Sequence, residues 1–266
     1  MYGEDLRKRF PALAPVVDDL FLLEPHQIAR LPQRAPRGEL ATVLQEYPKL
    51  VRFFTVRHPP IEPFLSDLLH AAPSLEMDLA ECEDRLLWEL ADLIVYQRDP
   101  AMYDSTTVST WSRAALREAE PLEDKVVADV GAGTGQVTFA VAPIAETVFA
   151  VEPVTALRAY IRDKAARGGL ENVFVMDGLL SAVPLPAGTV DVLLTQRAIG
   201  WDLASEIAEI ERVVRPGGVA LHLTGTPFPP DDDPLHRGLL AGGYEQGSYE
   251  EEEALYCKYF RKFLRP

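Results

Sequence analysis

Asp129, Glu152 and Asp177 each stand at or near the end of a short apolar run, and a glycine turn follows the first of them. That first run reads Val126-Val127-Ala128-Asp129-Val130-Gly131-Ala132-Gly133-Thr134-Gly135-Gln136. Glycines at every second position let the backbone turn sharply and approach a ligand with no Cβ in the way. An acid two positions before the first glycine suits a cationic ligand better than a pyrophosphate, which would instead seek the positive end of a helix. The second run ends Phe149-Ala150-Val151-Glu152-Pro153 and the third Phe174-Val175-Met176-Asp177-Gly178. The chemistry on offer is recognition of a small polar molecule by acids at successive strand ends.

The elements that must position these residues follow from the pattern between them. From Val126 onward, short β-rich runs alternate with helical stretches, the sign of a parallel α/β sheet. Strands are expected at 126–130, 147–151, 173–176, 190–195 and 219–224, and helices at 136–144, 154–166 and 202–214. Gly168-Gly169 should stop the second of these helices. Segments 244–253 and 254–264 read as a closing hairpin. The first hundred residues read as helical. Leu79, Leu86, Leu87, Leu90, Leu93 and Ile94 recur at helical spacing and predict one helix over 79–98. Shorter helices are expected at 40–54 and 61–70, and another at 106–119 capped by Ser105. Frequent prolines in this region call for several short helices. The organisation expected is a helical region over 1–104, as substrate cap or dimerisation element, and a ligand-binding domain over 105–266.

The loop and the acids together resemble the class I S-adenosylmethionine (SAM)-dependent methyltransferases, of the small-molecule, methyltransferase type 11-like kind. Motif I of that family is acidic-x-Gly-x-Gly-x-Gly, matched by Asp129, Gly131, Gly133 and Gly135, with Ala132 and Thr134 between. The resemblance implies that Asp129 positions the amino-acid end of SAM. It implies that Glu152, with Pro153 beside it, accepts the two ribose hydroxyls, and that Asp177, with Gly178 and Leu179, meets the adenine. Two further segments carry it: Val183-Pro184-Leu185-Pro186 leading to Asp191, and Arg215-Pro216-Gly217-Gly218. Their roles are architectural. The likeness covers residues 126–226 and does not reach the N-terminal hundred. It implies a Rossmann-like sheet, mostly parallel, with a C-terminal antiparallel hairpin, and it implies SAM as cofactor with S-adenosylhomocysteine as product. Tyr103 is the upstream candidate for the SAM carboxylate, and Gln196 lies at the mouth of the site. Arg197 is either a partner for a substrate carboxylate or a solvated residue, and Trp201 either packs or offers a substrate platform. The Asn/Asp-Pro-Pro-aromatic motif of many amine methyltransferases is lacking after the fourth strand, which lowers the chance of a DNA or protein acceptor. No catalytic base is identified.

Two other classes stay open on the residues alone. One is an NAD(P)-dependent oxidoreductase, although its fingerprint Gly-x-Gly-x-x-Gly would need glycine where Gln136 stands. The other is a protein that binds SAM without transferring methyl groups. A formal net charge of -15 argues against a nucleic-acid partner, whose phosphates require Lys and Arg. The five histidines form no pair at metal-ligand spacing, so no metal is expected, and Cys82 and Cys257 do not suggest a disulfide framework. No apolar run is long enough to span a membrane. The expectation is a cytoplasmic enzyme acting on a small-molecule acceptor, with dimerisation as the other role open to the N-terminal helices.

Overall fold

The computed structural model describes residues 2–70, 77–106, 113–224, 228–251 and 254–264. The chain divides into two compact units, Met1–Thr107 and Val108–Pro266.

The first unit is built of short helices around a core that includes Leu20, Ile28, Leu40, Leu50, Phe54, Leu65 and Leu86. Proline sets their lengths. The stretch expected as one helix over 40–54 is two, Arg37–Glu46 and Pro48–Arg57. A proline ring clashes inside a helix but suits its first turn, and Pro48 opens the second helix. The helix expected over 79–98 is also two, Leu79–Glu89 and Ala91–Arg98, parted at Leu90 with φ -106° and ψ 7°. Hydrogen bonding continues across that bend, because the Leu90 amide donates to Leu86 and its carbonyl accepts from Ile94. A period of 3.6 residues therefore persists in the sequence while the axis changes direction. Buried polar groups are partnered: Gln27 Nε2 donates to the Leu93 carbonyl at 3.1 Å, and Arg34 pairs with Asp92 at 2.9 Å.

The second unit is a seven-stranded sheet: β1 (Val126–Val130), β2 (Thr147–Val151), β3 (Val173–Met176), β4 (Val190–Gln196), β5 (Val214–Leu223), β6 (Glu245–Glu251) and β7 (Ala254–Lys262). The order is β3-β2-β1-β4-β5-β7-β6. The first five strands run parallel, and β7 is antiparallel to both β5 and β6. β1 and β4 are almost wholly buried, as strands covered on both faces must be, so they read as continuous apolar runs. Chain order reverses between β1 and β4, and open α/β sheets bind ligands outside the carboxyl ends of strands at such a point. Helices Gln136–Val141, Thr155–Arg167, Leu203–Val213 and Pro234–Ala241 complete the unit.

One predicted element is displaced. Where a helix is expected to start, Thr106 is the last described residue of an earlier one, Pro100–Thr106, and Arg113–Ala119 is a 3-10 helix. Residues 107–112 of that expectation lie outside the described residues. Ser105 is no N-cap; its hydroxyl donates back to the Met102 carbonyl at 2.9 Å within the preceding helix. Pro100 supplies the start signal six residues earlier.

The two architectural segments brace the sheet. Val190 pairs with Val214 and Val192 with Val219, so Arg215–Gly218 bulges out of β5. A Cβ on Gly218 would fall 2.6 Å from the Asp191 carbonyl oxygen, which requires glycine there. Asp191 accepts from the Val126 amide at 2.9 Å and is ion-paired to Arg215, tying the starts of β1 and β4 to the bulge. Arg212 donates to the carbonyls of Val183 and Leu185 at 3.0 and 2.8 Å, which fixes the Leu-Pro segment.

His222 lies inside β5 as a core residue, its Nδ1 2.8 Å from Thr195 Oγ1. Burial pushes it down to about 3, so it is neutral.

A buried ion pair secures the closing strands. Lys258 on β7 is 1% exposed, and its Nζ donates to Glu118 at 2.5 Å and to the Ala115 carbonyl at 3.2 Å. Burial is the strongest single influence and would raise the Glu118 carboxyl, but the bond and charge of Lys258, with a backbone bond and Arg117, together hold the carboxyl below its ordinary range. Replacing one partner strands the other charge, so Lys258→Met should lower unfolding free energy by about 3 kcal/mol. The double variant Lys258→Met/Glu118→Leu should recover most of that loss. Urea denaturation of both variants checks this.

Candidate functional site

The glycine loop joins β1 to the helix Gln136–Val141. Gly131, Gly133 and Gly135 have φ of 75°, 58° and 81°, left-handed conformations that side chains rarely adopt. Their surroundings differ. A Cβ on Gly131 would meet Ala198 Cβ at 2.3 Å, and one on Gly135 would meet the Phe139 ring at 2.6 Å. A Cβ on Gly133 would meet nothing within 4 Å among the described residues. Gly131 and Gly135 thus make room for the protein itself, and Gly133 is the loop glycine that opens on free space.

Four of the loop amides are spent internally. Gly131 and Ala132 donate to the Val151 carbonyl at 2.8 and 3.2 Å, and Gly135 donates to Ala132 at 2.8 Å. The Gly133 amide donates to Glu152 Oε2 at 2.8 Å. A pyrophosphate is held by loop amides of this kind, and here these four already have acceptors.

Two fully buried carboxylates flank the loop. Asp129 Oδ2 accepts from both the amide and the hydroxyl of Thr138, at 2.9 and 2.6 Å. Its Oδ1 is buried without a hydrogen-bond partner among the described residues. Burial pushes Asp129 up to about 6, against the lowering effect of the two Thr138 bonds. Glu152 Oε1 accepts from the Val154 amide at 2.9 Å, while Oε2 holds Gly133. Burial pushes Glu152 up to about 7, opposed by those two amides.

Asp177 is exposed, with its Oδ1 taking Arg158 Nη1 at 3.0 Å. Arg158, on the helix Thr155–Arg167, also donates to the carbonyls of Glu152 and Pro153 at 2.8 and 2.7 Å. One guanidinium therefore ties the end of β2 to the end of β3. Gly178 is crowded by Pro184 and Val151, and a Cβ there would lie 2.7 Å from the Pro184 ring. Leu179 is partly exposed beside it.

After β4 the chain runs Gln196-Arg197-Ala198-Ile199-Gly200-Trp201. The Arg197 amide donates to the Leu223 carbonyl at 2.8 Å, and Arg197 holds φ at 55°. For a residue with a Cβ that conformation costs on the order of 1–2 kcal/mol. Ala198 presses on Gly131, and Ile199 is buried in the core. Glu206 is buried and accepts the amides of Gly200, Trp201 and Asp202 at 2.7, 3.0 and 3.3 Å. Arg197 and Trp201 are exposed at this strand end. Tyr103 belongs to the first unit, where its ring packs edge-on against Tyr96 at 4.7 Å, with Arg9 over it.

Among the sequence-predicted residues, Asp129, the glycine loop, Glu152, Asp177, Gln196, Arg197 and Trp201 all fall at the carboxyl edge of the sheet. Thr138, Arg158 and Glu206 were missed. Each acts through a contact to a neighbouring strand end or loop, and a lone Thr, Arg or Glu on a helix carries no such signal. The residues present fit SAM: the free Asp129 Oδ1 awaits a donor such as an ammonium, Gly133 leaves space, and each Glu152 oxygen keeps a second lone pair for a hydroxyl.

Residues 128–222 match the family model described as a methyltransferase domain. An uncharacterized methyltransferase of Mycobacterium tuberculosis is 33% identical over 124 residues, covering 46% of each chain. The histone-arginine methyltransferase CARMER of Anopheles gambiae is 32% identical over 112 residues, 41% of this chain and 18% of that protein. These matches span less than half the length of either relative. A SAM-dependent methyltransferase structure from Aquifex aeolicus superposes with a TM-score of 0.47 at 20% identity, covering 62% of this chain and 99% of that one. Residues 128–222 thus match a methyltransferase domain, and the strand order and glycine loop agree with that match.

Proposed function

We propose that the chain transfers the methyl group of SAM to a small-molecule acceptor. The observation that carries the reading is the buried Asp129 Oδ1, without a partner among the described residues, set beside a loop with four amides already bonded. A buried acceptor of this kind asks for a donor, and a cationic one answers its charge as well. The family match favours methyl transfer over both the oxidoreductase and the transfer-free SAM-binding readings.

When bound, SAM supplies a sulfonium-activated methyl carbon that an acceptor lone pair can displace in line. What the protein must add is position and exclusion of water. Asp129 would take the ammonium of the amino-acid end, with Thr138 holding its other oxygen. Glu152 would take the ribose hydroxyls and Asp177 the adenine, with Arg158 fixing the distance between those two acids. Leu179, Pro153, Thr134 and Ala132 would line the same cleft, with Gln196 at its mouth. For Tyr103 we keep the role toward the SAM carboxylate that the resemblance implies, and for the N-terminal helices the role of substrate cap or dimerisation element. The small size of the acceptor is supported by the net charge of -15, which disfavours nucleic acid, and by the missing Asn/Asp-Pro-Pro-aromatic motif. Incubation with methyl-labelled SAM and fractionated small-molecule extracts tests the reading. Label should move to a low-mass product with one S-adenosylhomocysteine formed per transfer; label in protein or nucleic acid would contradict it.

Gly133→Ala meets no side chain and changes only the left-handed backbone. It should cost about 1 kcal/mol of stability and weaken SAM binding at least tenfold, whereas Gly131→Ala should disturb the fold more through Ala198. Calorimetric titration and thermal melts separate the two.

The buried acids also predict a pH signature. Carboxyls titrate near 4 in the unfolded chain, and here near 6 and 7. Between pH 4 and 7 the native protein binds the extra protons, so these two groups destabilise it as pH rises through that window, with no further change above. A cation that selects the ionised pair should expel those protons. SAM binding at pH 6.5 should therefore release protons, seen as a dependence of binding heat on buffer ionisation enthalpy that fades by pH 8.5. Asp129→Asn removes the burial penalty, so at pH 8 it should be at least as stable as the parent while binding SAM at least tenfold more weakly.

A further inference from the structure

Arg197 is the one described arginine held in the left-handed backbone region. The other such described non-glycine residue is Asp124, at the turn before β1, where a short acidic side chain is commonly accommodated. Arginine has no such local compensation, and strain of this kind gathers where surrounding structure imposes it for function. The surroundings here do impose it. The Arg197 amide is locked to Leu223, Ala198 is wedged on Gly131, Ile199 is in the core, and three amides further on are clamped by Glu206. The loop after β4 is thereby rigid and lies directly against the glycine loop. What it presents to solvent is a guanidinium and, four residues on, the Trp201 indole, 58% exposed. No ion pair to Arg197 occurs among the described residues, although the chain carries 41 acids against 26 Lys and Arg.

From this arrangement we infer that Arg197 is the specificity residue of the acceptor site and that the acceptor is an anion, a carboxylate attached to an apolar or aromatic body. The planar guanidinium matches a carboxylate with two parallel hydrogen bonds, and an indole offers a flat apolar surface to the rest of the molecule. A protein of net charge -15 repels anions in general, so an anionic acceptor needs a dedicated cation at the point of entry. A carboxylate held this way has its lone pairs engaged. The methylated atom is then another nucleophile of the same molecule. The inference rests on the methyltransferase reading of this site and deepens it.

The test uses the full chain saturated with S-adenosylhomocysteine, titrated by calorimetry with benzoate and octanoate and with their neutral counterparts benzamide and octanamide. At least one carboxylate should bind saturably, with its amide at least tenfold weaker. Arg197→Gln should weaken carboxylate binding at least tenfold and leave S-adenosylhomocysteine affinity within twofold. Arg197→Lys, a point charge without the fork, should restore only part. Arg197→Gly relieves the backbone, so it should melt at or above the parent temperature while losing the carboxylate. Binding of no carboxylate, equal binding of the amides, or undiminished binding by Arg197→Gln would each overturn the inference. Failure of S-adenosylhomocysteine itself to bind would instead overturn the methyltransferase reading on which it rests.

Discussion

The site depends on one hydrogen bond from a loop amide to a buried acid. Glu152 Oε2 holds the Gly133 amide at 2.8 Å, so the end of β2 sets the shape of the turn that leaves β1. The second oxygen of the same carboxylate fixes the start of the next helix through Val154. Moving Glu152 would release the turn, and Gly133 would lose the open side that distinguishes it from Gly131 and Gly135. Burying this charge is costly, and the same burial raises both Glu152 and Asp129 toward neutrality. Of their four oxygens, Asp129 Oδ1 alone has no donor among the described residues.

The remainder of the second unit serves to hold strand ends in place. Asp191 and Arg215 tie the starts of β1, β4 and β5. Arg158 joins the ends of β2 and β3. Glu206 fixes the loop after β4, which in turn leans on Gly131 through Ala198. The glycine loop and the loop after β4 therefore meet where the Ala198 side chain presses on Gly131, and a change in either loop is felt by the other.

How much of this was legible in the sequence follows from the physics of each element. β1, β2 and β3 fall at the residues expected, because buried parallel strands are written as short apolar runs between breakers. β5 starts earlier than expected because its bulge hides the first paired residue, Val214, in front of a Pro-Gly-Gly turn. Helix limits in the first unit were less legible: the bend at Leu90 leaves the apolar period intact, and Pro48 divides a stretch whose pattern continues through it. In the site, acids at strand ends announce themselves by position. Thr138, Arg158 and Glu206 do not, since their partners are brought to them only by the fold. The distinct roles of the three loop glycines were likewise invisible, because spacing alone cannot tell space for a ligand from space for Ala198.

The central claim is that this loop and its two buried acids are made for a cationic adenosyl ligand and not for a pyrophosphate. Parallel calorimetric titration of the purified chain with SAM and with NAD tests it most directly. Saturable binding of one SAM per chain, with no saturable heat from NAD, is the result expected. Tight binding of NAD with none of SAM would contradict the account.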